Sequence, residues 1–130
     1  MLEALIGVAL AAVLSGLGTM RLVTLVHAVR LAGAAHTVAT ALRLARGRAL
    51  AAGEAGEVRF DARNGRLELR AGPMPEMRPL PPGVSFAGLP ARAGITFNGL
   101  GTAENGTITL VAGAGTRRVI VNQRGRVRVQ

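Results

Sequence analysis

Ala4 to Met20 (ALIGVALAAVLSGLGTM) is seventeen residues without a charge or a proline, and no other feature of this chain restricts its folds so strongly. Seventeen residues is the short end of what crosses a bilayer. A secretory signal peptide needs a basic segment ahead of its apolar run and a small-residue cleavage site behind it. Here the only charge ahead of the run is Glu3, which is acidic. Beyond Arg21 the apolar character resumes from Leu22 to Val29, and helix-favouring residues continue through Ala52 with no proline before Pro73. One helix from Leu2 to Ala52 is the simplest reading. At about 1.5 Å per residue it runs roughly 75 Å, far more than the width of a small domain, so its front half must project.

The two halves of this helix differ in pattern. Residues 4–20 are apolar all round, which suits lipid or a bundle of like helices, and Gly7, Gly16 and Gly18 allow close helix approach. From Leu31 the pattern turns amphipathic: Leu31, Ala35, Val38, Leu42, Ala45 and Ala49 recur every three or four residues, with Arg43, Arg46 and Arg48 mostly off that stripe. The pattern predicts a segment suited to membrane or to a bundle of like helices over 1–30 and a globular head over 31–130, its helix covering 31–52. The 130-residue length allows about one such domain. Gly53 and Gly56 supply a helix-stop signal.

The remainder reads as short antiparallel strands over 57–129. Glu57–Asp61 and Arg66–Arg70 alternate polar and apolar residues, and Asn64-Gly65 between them is a hairpin signal. Gly72 to Pro82 holds prolines at 73, 75, 79, 81 and 82, which predicts a loop over 72–82 without ladder pairing. Further strands are expected at Val84–Phe86, Ile95–Asn98, Gly106–Val111, Thr116–Asn122 and Arg126–Val129, making seven in one or two small sheets. The fold class is α+β: a long N-terminal helix, membrane-spanning in its first half, packed on a small antiparallel head.

Charge and reactive residues narrow the function. Sixteen basic residues, all arginine, stand against seven acids, a net charge of +9 that favours nucleic acid, anionic lipid or an acidic protein surface as partner. Phe60, Phe86 and Phe97 are the only aromatic residues, too few for base-stacking platforms, so any nucleic-acid binding would rest on phosphate electrostatics. There is no cysteine, hence no disulfide framework or thiolate metal site. His27 and His36 are nine residues apart on one helix and face opposite azimuths, so they share neither a metal nor a base role. Ser15 and Ser85 have no neighbouring histidine, and Gly99-Leu100-Gly101 and Gly113-Ala114-Gly115 lack the rest of a dinucleotide fingerprint. No enzyme and no cofactor is implied.

Met1-Leu2-Glu3-Ala4-Leu5-Ile6-Gly7-Val8-Ala9-Leu10 resembles the type IV pilin N-terminal motif with its leader and first mature residues missing, Glu3 falling on the family's fifth mature residue. Leu44-Ala45-Arg46-Gly47-Arg48-Ala49 is similar to the helix end of the GspH/FimT group of minor pilins and pseudopilins. So are Ile95–Gly99, Gly106–Leu110, Arg117–Val121 and Gly125–Val129, and the resemblance spans nearly the whole chain. It implies a pilin-like fold and a leader upstream of Met1, cut by a prepilin peptidase that methylates the new N-terminus. It also implies partners: other pilins or pseudopilins through the N-terminal helix, and the inner membrane, with the head in the periplasm before assembly. Orientation is then set by leader charges, although an Arg-rich periplasmic head strains the positive-inside expectation. Glu3 is expected to neutralise the N-terminal amine of a neighbour, because a carboxylate beside lipid or a dry bundle is costly unless paired; a solvated position at the membrane interface is the alternative.

The basic C-terminus is the second candidate site. In a strand, Arg124, Arg126 and Arg128 share one face while Val127 and Val129 point to the core, and Arg117 and Arg118 lie on the preceding strand. Gly125-Arg126-Val127-Arg128 resembles the Gly-Arg-x-Arg element associated with DNA binding in FimT-like members of pilus systems that take up DNA. The plainer reading is a solvated strand face. Three functions therefore stand: a structural subunit of a type IV pilus or type II secretion pseudopilus; a pilus-tip receptor for double-stranded DNA; and a single-span membrane protein with an unrelated β domain.

Overall fold

The computed structural model describes residues 1–130. Helix α1, Leu2–Ala52, runs unbroken for 51 residues, since nothing in it interrupts the backbone ladder. It stops where Gly53 takes the left-handed conformation, φ 65°, that a side chain disfavours. Every buried residue of α1 lies from Leu31 onward: Leu31, Ala34, Ala35, Val38, Ala39, Ala41, Leu42, Ala45 and Ala49. The many alanines on this stripe keep the helix close to the sheets it packs on.

Eight strands follow: β1 (Gly56–Asp61), β2 (Arg66–Arg70), β3 (Glu76–Pro79), β4 (Ser85–Gly88), β5 (Gly94–Phe97), β6 (Gly106–Ala112), β7 (Gly115–Val121) and β8 (Val127–Val129). They form two four-stranded antiparallel sheets, β3-β2-β1-β5 and β4-β6-β7-β8. Alternate residues of each sheet turn toward the helix. Val58, Leu67, Leu69, Ile95 and Phe97 come from the first sheet and Ile108, Leu110, Val119 and Val121 from the second, all buried in one core with α1. Phe60 on β1 meets Phe86 on β4 edge-to-face at 5.5 Å between centroids and so joins the two sheets.

The proline-rich segment is not the unpaired loop its composition predicts, because β3 lies inside it and pairs with β2 from Leu69↔Glu76 to Arg66↔Pro79. Geometry explains the exception. β3 is an edge strand that pairs on one side only, and Pro79 occupies its last position, where a missing donor is tolerated. This strand raises the count from the expected seven to eight. Strand ends also move by one or two residues, and β8 starts at Val127 rather than Arg126.

The chain's path gives the head two ends. At the end near the projecting helix, Arg30 Nη1 donates to Pro82 O at 3.3 Å, and Leu31 packs on Gly115 at the start of β7. At the far end, Arg46 Nε donates to Gly101 O at 3.0 Å, and Arg48 Nη1 donates to Ala71 O at 3.0 Å.

Candidate functional site: the projecting helix and the arginine face

The front of α1 touches nothing in the head. Leu5, Ile6, Val8, Leu10, Val13, Leu14 and Leu17 are each at least half exposed on a helix that is apolar on every side. Each such side chain gains about 1.5–3 kcal/mol on leaving water, so this surface drives association with lipid or with other apolar helices. By length and hydropathy α1 is a candidate membrane span. Glu3 sits in its first turn, exposed and in no ion pair, where a carboxylate suits the positive end of the helix dipole.

The five C-terminal arginines are all exposed but do not form the single strand face that the sequence suggests. Arg124 is in the turn between β7 and β8, and Arg126 precedes β8, where its carbonyl accepts from Asn122 N at 3.1 Å. In β8, Arg128 stands opposite Ile120, and Arg118 exchanges backbone hydrogen bonds of 2.8 Å with Gln130. Arg118, Arg126 and Arg128 thereby share the outer face of the second sheet, together with Ile120. Arg117 has the opposite parity, that of the buried Val119, and emerges near the helix side of the sheet. Val129 is not a core residue: it is 43% exposed on the outermost strand, which has no neighbour beyond it.

Electrostatics separates the two sheets. All five ion pairs belong to α1 and the first sheet: Arg48–Glu76 (2.7 Å), Arg59–Glu57 (3.1 Å), Arg66–Asp61 (3.2 Å), Arg70–Glu68 (2.9 Å) and Arg78–Glu76 (3.3 Å). The hydrogen bond from Arg48, followed by Arg78, holds the Glu76 carboxyl below its ordinary range, and bonds from Asn64 do the same for Asp61. The Glu68 hydrogen bond raises Arg70. The second sheet contains no Asp or Glu, and none of Arg117, Arg118, Arg124, Arg126 or Arg128 has an ion-pair partner. Part of this was readable in the sequence. Glu57-Arg59, Glu68-Arg70 and Glu76-Arg78 each place an acid two residues before an arginine, on one strand face, and no acid stands so before the C-terminal five.

Two residues that charge patterning did not single out join the helix to the far end of the head. Arg46 and Arg48 reach past the buried stripe to cap loop carbonyls at Gly101 and Ala71. His27 lies against Gly113 in the β6–β7 turn, while His36 is exposed on another side of the helix.

No curated protein matches the chain. Several solved structures have a similar fold, among them those of two proteins. The minor pseudopilin EpsH from the Type 2 Secretion System of Vibrio cholerae superimposes with a TM-score of 0.63 at 18% identity, covering 78% of this chain and 96% of that one. The type IV minor pilin FimU of Pseudomonas aeruginosa PAO1 gives a TM-score of 0.64 at 18% identity, over 77% of this chain and 87% of that one. Both likenesses show a pilin-like fold. Residues 34–125, the packed head but for its first three residues and its last strand, match the family described as Type II transport protein GspH, and the chain belongs to that family.

Proposed function

We propose that this chain is a minor pilin or pseudopilin, a non-enzymatic structural subunit of a type II secretion pseudopilus or a type IV pilus. One observation carries the reading. A 51-residue helix gives only its second half to the head's core and leaves the apolar first half without any partner. Residues 1–30 then anchor the chain in the inner membrane and afterwards pack among the helices of other subunits, while head 31–130 stays on the periplasmic side and coats the filament. A prepilin peptidase acts on the N-terminus, and Glu3 neutralises the terminal amine of a neighbouring subunit as both enter the dry bundle. The test is incorporation of the chain, co-expressed with its partner subunits, into sheared filaments. Glu3→Gln should reduce incorporation at least tenfold while membrane levels stay constant; equal incorporation refutes the role of Glu3, and loss of membrane association after deletion of 1–26 tests the anchor.

A second reading has its own support in the unpaired arginines of the acid-free second sheet. Arg118, Arg126 and Arg128 on one face, flanked by Arg117 and Arg124, suit the phosphates of double-stranded DNA at a pilus tip. Binding of the detergent-solubilised chain should fall steeply with salt, and Arg126→Ala/Arg128→Ala should flatten that slope by about two phosphate contacts. No binding at low salt removes this reading.

A further inference from the structure

Between Arg21 and the head lies a short collar of α1, Leu22 to Val29, that has almost no partner. Leu22, Val23, Leu25, Val26 and Val29 are 44–64% exposed, and His27 alone rests on the head, against Gly113. The near rim of the head closes around the top of this collar. Arg30 holds the Pro82 carbonyl, Leu31 packs on Gly115, and the β1–β2 turn hangs from the same rim because Leu80 N donates to Gly65 O at 2.8 Å. These segments bring Arg30, Arg63 and Arg117, all exposed, to the end of the head that faces Arg21. Asp61 is the acid at this rim, and it is engaged by Asn64 Nδ2 at 2.7 Å and Arg66 Nε at 3.2 Å. Glu57, Glu68 and Glu76 lie on the first sheet, and Glu54 and Glu104 on far-end loops.

Length makes the placement specific. A hydrocarbon core of about 30 Å takes about 20 helical residues. Ala4–Met20 falls short of that, so the hydrocarbon takes in Leu2 to about Arg21, whose long side chain can snorkel to the interface. Counted from Leu2, about twenty residues end at Arg21, and the eight collar residues Leu22–Val29 remain below Arg30, roughly 12 Å at about 1.5 Å each, somewhat more than the roughly 5–8 Å of the headgroup layer. Apolar collar residues gain by being drawn into that layer, and drawing them in lowers the rim onto it.

We infer that the near rim of the head rests on an anionic lipid surface, with Arg21, Arg30, Arg63 and Arg117 against headgroup phosphates. This rests on the membrane-anchored reading above. The occupant is a charged bilayer rather than a neutral one, because the rim presents guanidiniums and its acid is already paired. Each basic side chain at such a surface strengthens the contact by about fivefold.

The absence of cysteine allows a direct test. The full chain carrying Ala114→Cys, an exposed site on the β6–β7 turn beside the rim, is labelled with one fluorophore and reconstituted into vesicles of phosphatidylcholine alone or with one-third phosphatidylglycerol. Both preparations hold a headgroup-linked quencher. Phosphatidylglycerol should raise the ratio of docked to undocked heads at least fivefold, and about 1 M salt, with a screening length near 3 Å, should reverse it. Arg30→Gln/Arg63→Gln/Arg117→Gln should abolish the rise, whereas Arg124→Gln/Arg128→Gln, away from the rim, should keep it. Flotation with both vesicle types but equal quenching overturns the inference and leaves the anchor standing; flotation with neither overturns both. Equal losses in the two variants also overturn it, because net charge rather than the rim would then be responsible. Should the triple variant misfold, the single variants Arg30→Gln, Arg63→Gln and Arg117→Gln decide in its place: each should lower the rise more than Arg124→Gln does, and equal losses overturn the inference.

Discussion

Gly125 begins the Gly-Arg-x-Arg element, yet its surroundings assign it to the fold. It sits in the β7–β8 turn at φ 73°, and its N–H donates to Asn122 O at 2.9 Å. A Cβ at this position would overlap the Gly101 carbonyl oxygen and lie 2.8 Å from Arg46 Nε, the group that donates to that same oxygen. Gly125→Ala therefore carries two costs: about 1 kcal/mol for a left-handed alanine, and about 1.5–3 kcal/mol for the displaced charge-assisted hydrogen bond. A total of about 2.5–4 kcal/mol is a large share of the 5–15 kcal/mol that holds a typical domain. Gly65→Ala is the control, because Gly65 has a similar φ of 59° and a Cβ added there would meet no heavy atom within 4 Å, leaving the backbone cost of about 1 kcal/mol alone. Gly125→Asn completes the set: asparagine tolerates the left-handed region but still carries a Cβ. The assay is urea unfolding of a His27–Gln130 head, which retains the whole core, followed by far-UV circular dichroism because the chain has no Trp or Tyr. Gly125→Ala costing no more than Gly65→Ala would refute the reasoning, as would full rescue by Gly125→Asn.

Three further outcomes are expected. Leu42→Ala, at a fully buried position between helix and sheets, should cost about 2–5 kcal/mol in the same unfolding assay. Deleting residues 1–26 should leave the head's stability within about 0.5 kcal/mol of the full chain measured in detergent, since no core residue precedes Leu31; a larger loss would mean that the projecting half supports the head. Glu76 has a lowered folded-state pKa, so its stabilising effect is complete above the ordinary carboxylate range and is lost as pH falls through the lowered value. Glu76→Gln should accordingly reduce stability at neutral pH, and its pH–stability curve should converge with the parent's in acid; a constant offset at every pH would contradict the pairing with Arg48 and Arg78.

The elements most legible in the sequence were those fixed by local pattern. The length of α1, its end at Gly53 and the buried stripe of Leu31, Ala35, Val38, Leu42, Ala45 and Ala49 follow from periodicity and one glycine, and the structure has them all. The Asn64-Gly65 hairpin is equally local, with Gly65 in the left-handed region and β1 paired to β2. β3 was hidden because proline content argues against ladder pairing, while an edge position removes that objection only once a neighbouring strand is known. Arg124 was misplaced for a related reason: alternation assigns it a strand face, but the turn that closes at Gly125 takes it out of the strand.

The sequence by itself determined a chain in two parts, a helix too long and too apolar for its head and a basic domain of short strands, because helix period, strand alternation and chain-breaking residues act over a few positions. It also made three of the strand ion pairs legible, since Glu57, Glu68 and Glu76 lie two residues before Arg59, Arg70 and Arg78 and an extended backbone puts each pair on one side, whereas Asp61–Arg66 depends on the hairpin register. Only the tertiary structure decided that Arg46 closes over Gly101 beside Gly125, that Arg48 reaches Glu76, and that Arg30 and Arg117 stand on one rim. Those arrangements join residues 28 to 87 positions apart, and at such separations proximity comes from packing two sheets on one helix rather than from local conformational preference.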